Sequence, residues 1–157
     1  MLLIKKIEQY DINNIVLCEA IKNNVMDDSN FIRILYANNN VVMNGIYLYL
    51  PISDIITEKY YNKYKCMFNI NNYKDIIESI KNIEEMLLTK IVIKNKIAQY
   101  KIYDQLRNGY IKIFSDNIGK ITHNNLFLLK ISGIWETDTH YGVTYKFSKL
   151  RGASPLA

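Results

Sequence analysis

The chain has 157 residues, 49% hydrophobic and 22% charged, with a formal net charge of +5. That length and apolar content allow one domain with a buried core and exclude a disordered chain. No apolar run reaches the ~18 residues of a membrane-spanning helix, and the basic excess favours polyanionic partners.

The N-terminus, Met1-Leu2-Leu3-Ile4-Lys5-Lys6, is apolar first and basic second. A secretory signal has the opposite order, so an intracellular, non-secreted protein without a membrane partner is expected. Leu2 to Tyr10 is a first strand or an arm. Ile12 to Ala20 carries Ile15, Val16, Leu17 and Cys18, a run short enough for a buried strand. Asn23 to Asn30, with Asp27 and Asp28, suits a loop. Phe31 to Tyr36 is β-branched and aromatic, and Asn38-Asn39-Asn40 can supply the left-handed conformations of a tight turn. Val41 to Leu50 returns as a strand, with Gly45 marking a bulge. Past that glycine, Ile46, Leu48 and Leu50 alternate with Tyr47 and Tyr49, giving one aliphatic and one tyrosine face.

Pro51 ends this strand, and Ser53 to Asn62 is a connection with helical character. Tyr64 to Ile70 is a strand. Asn72 is a good N-cap for a helix from Tyr73 to Ile91, whose apolar stripe is Ile76, Ile77, Ile80, Ile83, Leu87, Leu88 and Ile91. Glu84 and Glu85 are expected to be solvated charges. Lys94 to Arg107 is basic, bears tyrosines and has no clear periodicity. Asn108-Gly109 turns into a strand, Tyr110 to Phe114, and Asp116 to Asn125 is a loop or a second hairpin. Leu126 to Glu136 is a strand interrupted at Ser132-Gly133. After a turn at Thr137 to His140, Tyr141 to Leu150 returns, alternating Val143, Tyr145 and Phe147 with Thr144, Lys146 and Ser148. The expectation is an α+β, mostly β chain. Residues 1–150 form an OB-like small β-barrel with one amphipathic helix, and 151–157 a flexible tail; a β-sandwich with an added helix is the alternative.

Catalytic signatures are missing from the sequence. No G-x-S-x-G surrounds a serine, the glycines are isolated, and Cys18, Cys66, His123 and His140 lack zinc-ligand spacing. The cysteines read as reduced core thiols. Glu136, Asp138 and His140 stand at alternate positions, which on a strand would make a hard-metal corner, but they fall where a hairpin should turn. No enzyme activity, metal or cofactor is expected.

The remaining signal is cations interleaved with aromatics: Lys59-Tyr60-Tyr61-Asn62-Lys63-Tyr64-Lys65, then Tyr100-Lys101-Ile102-Tyr103 with Arg107. Ile, Asn, Lys and Tyr all have A/T-rich codons, so part of this richness reflects base composition. Binding of single-stranded nucleic acid needs both ingredients, positive charge for phosphates and flat rings for unstacked bases. Phosphates would meet Arg33, Lys59, Lys63, Lys65, Lys130 and Lys146. Bases would stack on Tyr47, Tyr49, Tyr60, Tyr64 and Trp135, all in one trough. Binding would then weaken with salt and quench Trp135.

The C-terminal hairpin from Leu129 to Phe147 has a strand ending in Trp135, a polar turn, and Gly142-Val143-Thr144-Tyr145-Lys146. It resembles the closing hairpin of single-stranded-DNA-binding proteins of phages and giant viruses, and Phe31 to Leu50 resembles uncharacterised proteins of nucleocytoplasmic large DNA viruses. The resemblance implies an OB-like barrel that coats exposed single-stranded DNA (or RNA) in viral DNA replication or repair, with Lys130, Trp135 and Lys146 near the groove. It places the protein in the host cytoplasm, at a virus factory, or in the virion. Such proteins end in an acidic tail; Arg151 to Ala157 holds no acid and departs from that pattern. The alternative is a viral structural or protein-interaction component, a homo-oligomer included, using the tyrosine face of Val41 to Leu50 as its interface.

Overall fold

A computed structural model of the chain describes residues 4–22, 29–91, 93–114 and 126–150. They form ten strands and two α-helices. The strands are β1 (Ile15–Lys22), β2 (Asn30–Ala37), β3 (Val42–Met43), β4 (Ile46–Leu50), β5 (Ile56–Tyr60), β6 (Lys63–Met67), β7 (Ile97–Gln99), β8 (Tyr110–Phe114), β9 (Leu126–Glu136) and β10 (His140–Leu150). The helices are α1 (Lys74–Thr89) and α2 (Lys101–Arg107). The α+β, mostly β class is therefore present.

Seven strands form the larger sheet in the order β1-β2-β9-β10-β7, with β3 beside β2 and β4 beside β9; β5-β6-β8 form a second, three-stranded sheet. The pairing closes no barrel among the described residues, so the OB-like closure expected from the sequence is not found. One edge of β9 serves two strands: β4 pairs with Phe127–Ile131 and β2 with Gly133–Glu136. A bulge on β9 separates these halves, where the register with β10 shifts between Thr144 and Tyr145. Two glycines make room there. A Cβ on Gly133 would lie 2.4 Å from both the Ile32 carbonyl oxygen and the Phe31 ring, and one on Gly45 (φ +115°) 2.8 Å from the Ile131 carbonyl oxygen. The interruption expected at Ser132-Gly133 is thus a bulge inside a continuous strand.

Period-two alternation turns Ile32, Ile34, Ile46, Leu48, Leu50, Phe127, Leu129, Ile131, Val143 and Phe147 into one core. Ile77, Ile80, Ile83, Leu87 and Leu88 of α1 join it, with Ile102 and Leu106 of α2 and Cys66, Ile111 and Ile113 of the small sheet. Burying each such aliphatic side chain is worth ~1.5–3 kcal/mol, so this shared core is what ties the two sheets together.

Several expectations are corrected. Ser53 to Asn62 is not helical: Ile56 to Tyr60 is a strand in continuous register with β6, from Ile56 opposite Met67 to Tyr60 opposite Lys63. None of Asn38, Asn39 and Asn40 is left-handed. Instead the Asn38 side chain accepts the N–H groups of Asn40 and Val41 at 2.9 and 3.0 Å, closing the turn as an Asx motif. Asn72 does not cap α1. Tyr73 holds that position, and its hydroxyl instead donates to the Ser53 carbonyl at 2.7 Å. The described residues hold two α-helices rather than one, because the stretch without clear periodicity holds both β7 and α2.

Glu84 is not solvated. It has no exposed surface and accepts the N–H groups of Ile102 (3.0 Å) and Tyr103 (2.9 Å), so a carboxylate on α1 caps the start of α2. Burial pushes its pKa up from 4.5 to about 7, against the lowering effect of those two hydrogen bonds. Asp27, Asp28, the Asp116 to Asn125 segment with His123, and the 151–157 tail lie outside the described residues.

Candidate nucleic-acid interface

The small sheet presents one face to the core and the other outward. Directly opposed residues in an antiparallel pair share a face, so the registers of β5 with β6 and β6 with β8 define three rows. These rows are Ile56–Met67–Tyr110, Glu58–Lys65–Lys112 and Tyr60–Lys63–Phe114. The intervening residues Cys66, Ile111 and Ile113 are buried, which assigns the three rows to the outward face.

Rings and cations therefore alternate on an open platform. The Lys65 ammonium lies 4.8 Å from the Tyr110 ring centre and the Lys63 ammonium 5.1 Å from that of Phe114. Neither these lysines nor Lys112 has a carboxylate within ion-pair distance among the described residues. Tyr60 and Phe114 are each 51% exposed. The Tyr60 hydroxyl donates to Glu58 Oε2 at 2.8 Å, and this bond raises the phenol pKa above its usual 10. At the β5–β6 turn, Tyr61 is 99% exposed with φ at +50°, where glycine or asparagine is favoured. Tyr60, Tyr61, Asn62, Lys63, Lys65, Tyr110 and Lys112 line a concavity of about 510 Å³.

The residues singled out in the sequence do not all share this surface. Tyr60, Lys63 and Lys65 lie on it. Lys59 and Tyr64 pair with each other on the opposite face, where Tyr64 packs on the core with the Lys59 ammonium 5.9 Å from its ring centre. Arg33, Tyr47, Tyr49, Lys130, Trp135 and Lys146 all belong to the larger sheet, on the side opposite Ile34, Ile46, Leu48 and Leu129, but Tyr47 is half-buried against the core and Tyr49 lines a groove with Asp75 and Ile76 of α1. There Tyr47, Lys130 and Lys146 form one row across β4, β9 and β10. Arg33 donates to Asn44 at 2.9 Å, and Lys130 lies 5.5 Å from the Tyr47 ring centre. Trp135 lies across its cross-strand partner Gly142, under the Lys101 ammonium at 4.8 Å. One trough thus becomes two separate basic–aromatic faces.

Tyr110, Lys112, Phe114 and Glu58 were missed. The signal was there: Tyr110-Ile111-Lys112-Ile113-Phe114 alternates strictly, so its two isoleucines turn the other three outward.

The cysteines and the polar C-terminal turn form no metal-binding group. Cys66 is buried in the core, which pushes its thiol up to about 11, and Cys18 lies half-buried on β1. Glu136 forms an ion pair with Lys96, and the His140 Nδ1 lies 2.7 Å from the Thr139 hydroxyl. Among the described residues no three His, Cys, Asp or Glu side chains converge, and no helix is long and apolar enough to cross a membrane. No protein-family model, no curated protein and no solved structure matches this chain.

Proposed function

We propose that the outward face of β5-β6-β8 binds single-stranded nucleic acid, chiefly through charge and stacking. The observation that carries this reading is the row structure, which places Tyr60, Tyr110 and Phe114 beside Lys63, Lys65 and Lys112 on a solvent-facing sheet. Bases in a duplex hide their faces from such rings, whereas unpaired bases can lie on them at ~1–3 kcal/mol each. Strands ~4.8 Å apart and ~3.3 Å per residue give the platform room for about two or three nucleotides. An open sheet is sufficient for this chemistry, with no OB-like closure required. The role in replication or repair of a large DNA virus rests on the resemblance of the Leu129 to Phe147 hairpin.

The test is fluorescence anisotropy of labelled oligo-dT and of a duplex of equal length at two salt concentrations. Oligo-dT should bind more tightly than the duplex and weaken with salt. Equal affinity for the duplex, or binding indifferent to Lys63→Gln, Lys65→Gln and Lys112→Gln together, overturns the reading. Trp135 emission separates the two basic faces. A strand on the small sheet leaves it unchanged, and a strand on the larger sheet quenches it.

A protein partner is the second reading, favoured by Ile56, which is 70% exposed on the same face as the half-exposed Phe114. A stable oligomer in light scattering, with no oligonucleotide bound, would support it.

A further inference from the structure

We propose that Glu58 makes the small-sheet platform selective for guanine and unfavourable to thymine or uracil. The inference rests on the reading of this face as a single-strand platform and names the base it reads.

Glu58 is the one carboxylate in the three outward rows, and it stands in the middle one, opposite Lys65. An acid here weakens the attraction of the surface for phosphates, and among lysines that pair with no carboxylate among the described residues it offers an acceptor to a ligand that donates. Neighbouring lysines do not neutralise it: Lys65 and Lys63 hold their ammonium groups over Tyr110 and Phe114. The Tyr60 hydroxyl donates to Oε2 and fixes the carboxylate's orientation, leaving Oε1 and a second lone pair of Oε2 for a ligand.

An ionised carboxylate only accepts hydrogen bonds. Guanine offers two adjacent donors on one edge, N1–H and the N2 amino group, which match two carboxylate oxygens. Its O6 and N7 acceptors suit a lysine, the pairing by which Lys reads guanine elsewhere, and Lys65 stands on the neighbouring strand. Adenine and cytosine offer a single amino group. Thymine and uracil hold their one N–H between two carbonyl oxygens that a carboxylate repels. A base stacked on Tyr60 would therefore be read by Glu58 at its rim.

The experiment compares oligo-dT with an alternating dG/dT strand of the same length by anisotropy, for wild type, Glu58→Gln and Tyr60→Phe. Wild type should bind the guanine-containing strand about tenfold more tightly. Glu58→Gln should reduce that preference to about twofold or less while binding oligo-dT at least as well as wild type. Tyr60→Phe keeps the ring and loses the aiming hydroxyl, so its preference should fall between the two. Because Glu58 is exposed, an unchanged melting temperature verifies that the variant folds. No preference in wild type, or a preference that survives Glu58→Gln, overturns the role of Glu58 while salt-sensitive oligo-dT binding leaves the platform reading intact. Failure of both strands to bind at low salt overturns the two together.

Discussion

Tyr61 and Glu84 each occupy an environment that their residue type resists. Tyr61 holds a left-handed backbone at the tip of the β5–β6 hairpin with almost its whole side chain in water. Such a conformation costs a non-glycine residue ~1 kcal/mol or more. Tyr61→Gly should therefore raise stability by about 0.5–1 kcal/mol in urea unfolding, while weakening oligo-dT binding through loss of a ring at the lip of the concavity. Glu84 is the opposite case, a carboxyl without solvent contact. Its folded pKa of about 7 lies above the ordinary 4.5, so the folded state holds the proton more tightly than the unfolded chain. The sign follows by linkage: this contribution is complete below about pH 4.5 and is lost as pH rises through about 7. Unfolding free energies from urea titrations at the two ends of that window should differ more for wild type than for Glu84→Gln, by on the order of 3 kcal/mol.

Among the elements, β9 carries the most constraint, because two strands share one of its edges across a bulge. Gly133 lies at that junction with its hypothetical Cβ 2.4 Å from backbone, a contact that side-chain motion cannot relieve. Gly133→Ala should cost more than ~3 kcal/mol, seen as a large fall in the urea midpoint or as failure to accumulate folded protein. The small sheet is less constrained. Its outward residues meet water rather than the core, Lys63 and Lys65 lie over rings, and neither they nor Lys112 pairs with a carboxylate among the described residues. Substitutions on that face should leave the melting temperature within about 2 °C of wild type and alter binding alone.

At the scale of the whole molecule, two outward faces carry lysines and rings, and they lie on different sheets. Counterion release gives each neutralised phosphate of a single strand a slope of about −0.7 in log affinity against log salt. If the small sheet is the interface, changing Lys63, Lys65 and Lys112 to Gln together should flatten that slope by about 2. Changing Arg33, Lys130 and Lys146 to Gln should leave it almost unaltered. Anisotropy over a salt series separates these outcomes, and the reverse pattern would move the interface to the larger sheet.

Strict alternation in Ile46 to Leu50, Tyr110 to Phe114 and Val143 to Ser148 determined those strands and their buried faces, because a pleated strand has a fixed period of two. Helical spacing likewise determined α1, but the expectation of a solvated Glu84 overlooked its place on the stripe, four residues after Ile80 and three before Leu87. Only the tertiary structure decided that Lys59 shares the face of Tyr64 rather than that of Lys63 and Lys65, that Arg33 and Trp135 belong to another sheet, and that Glu84 caps α2. Period and composition act over a few residues, whereas the pairing partner of each strand and the helix start that meets a carboxylate are set by contacts between residues far apart in the chain.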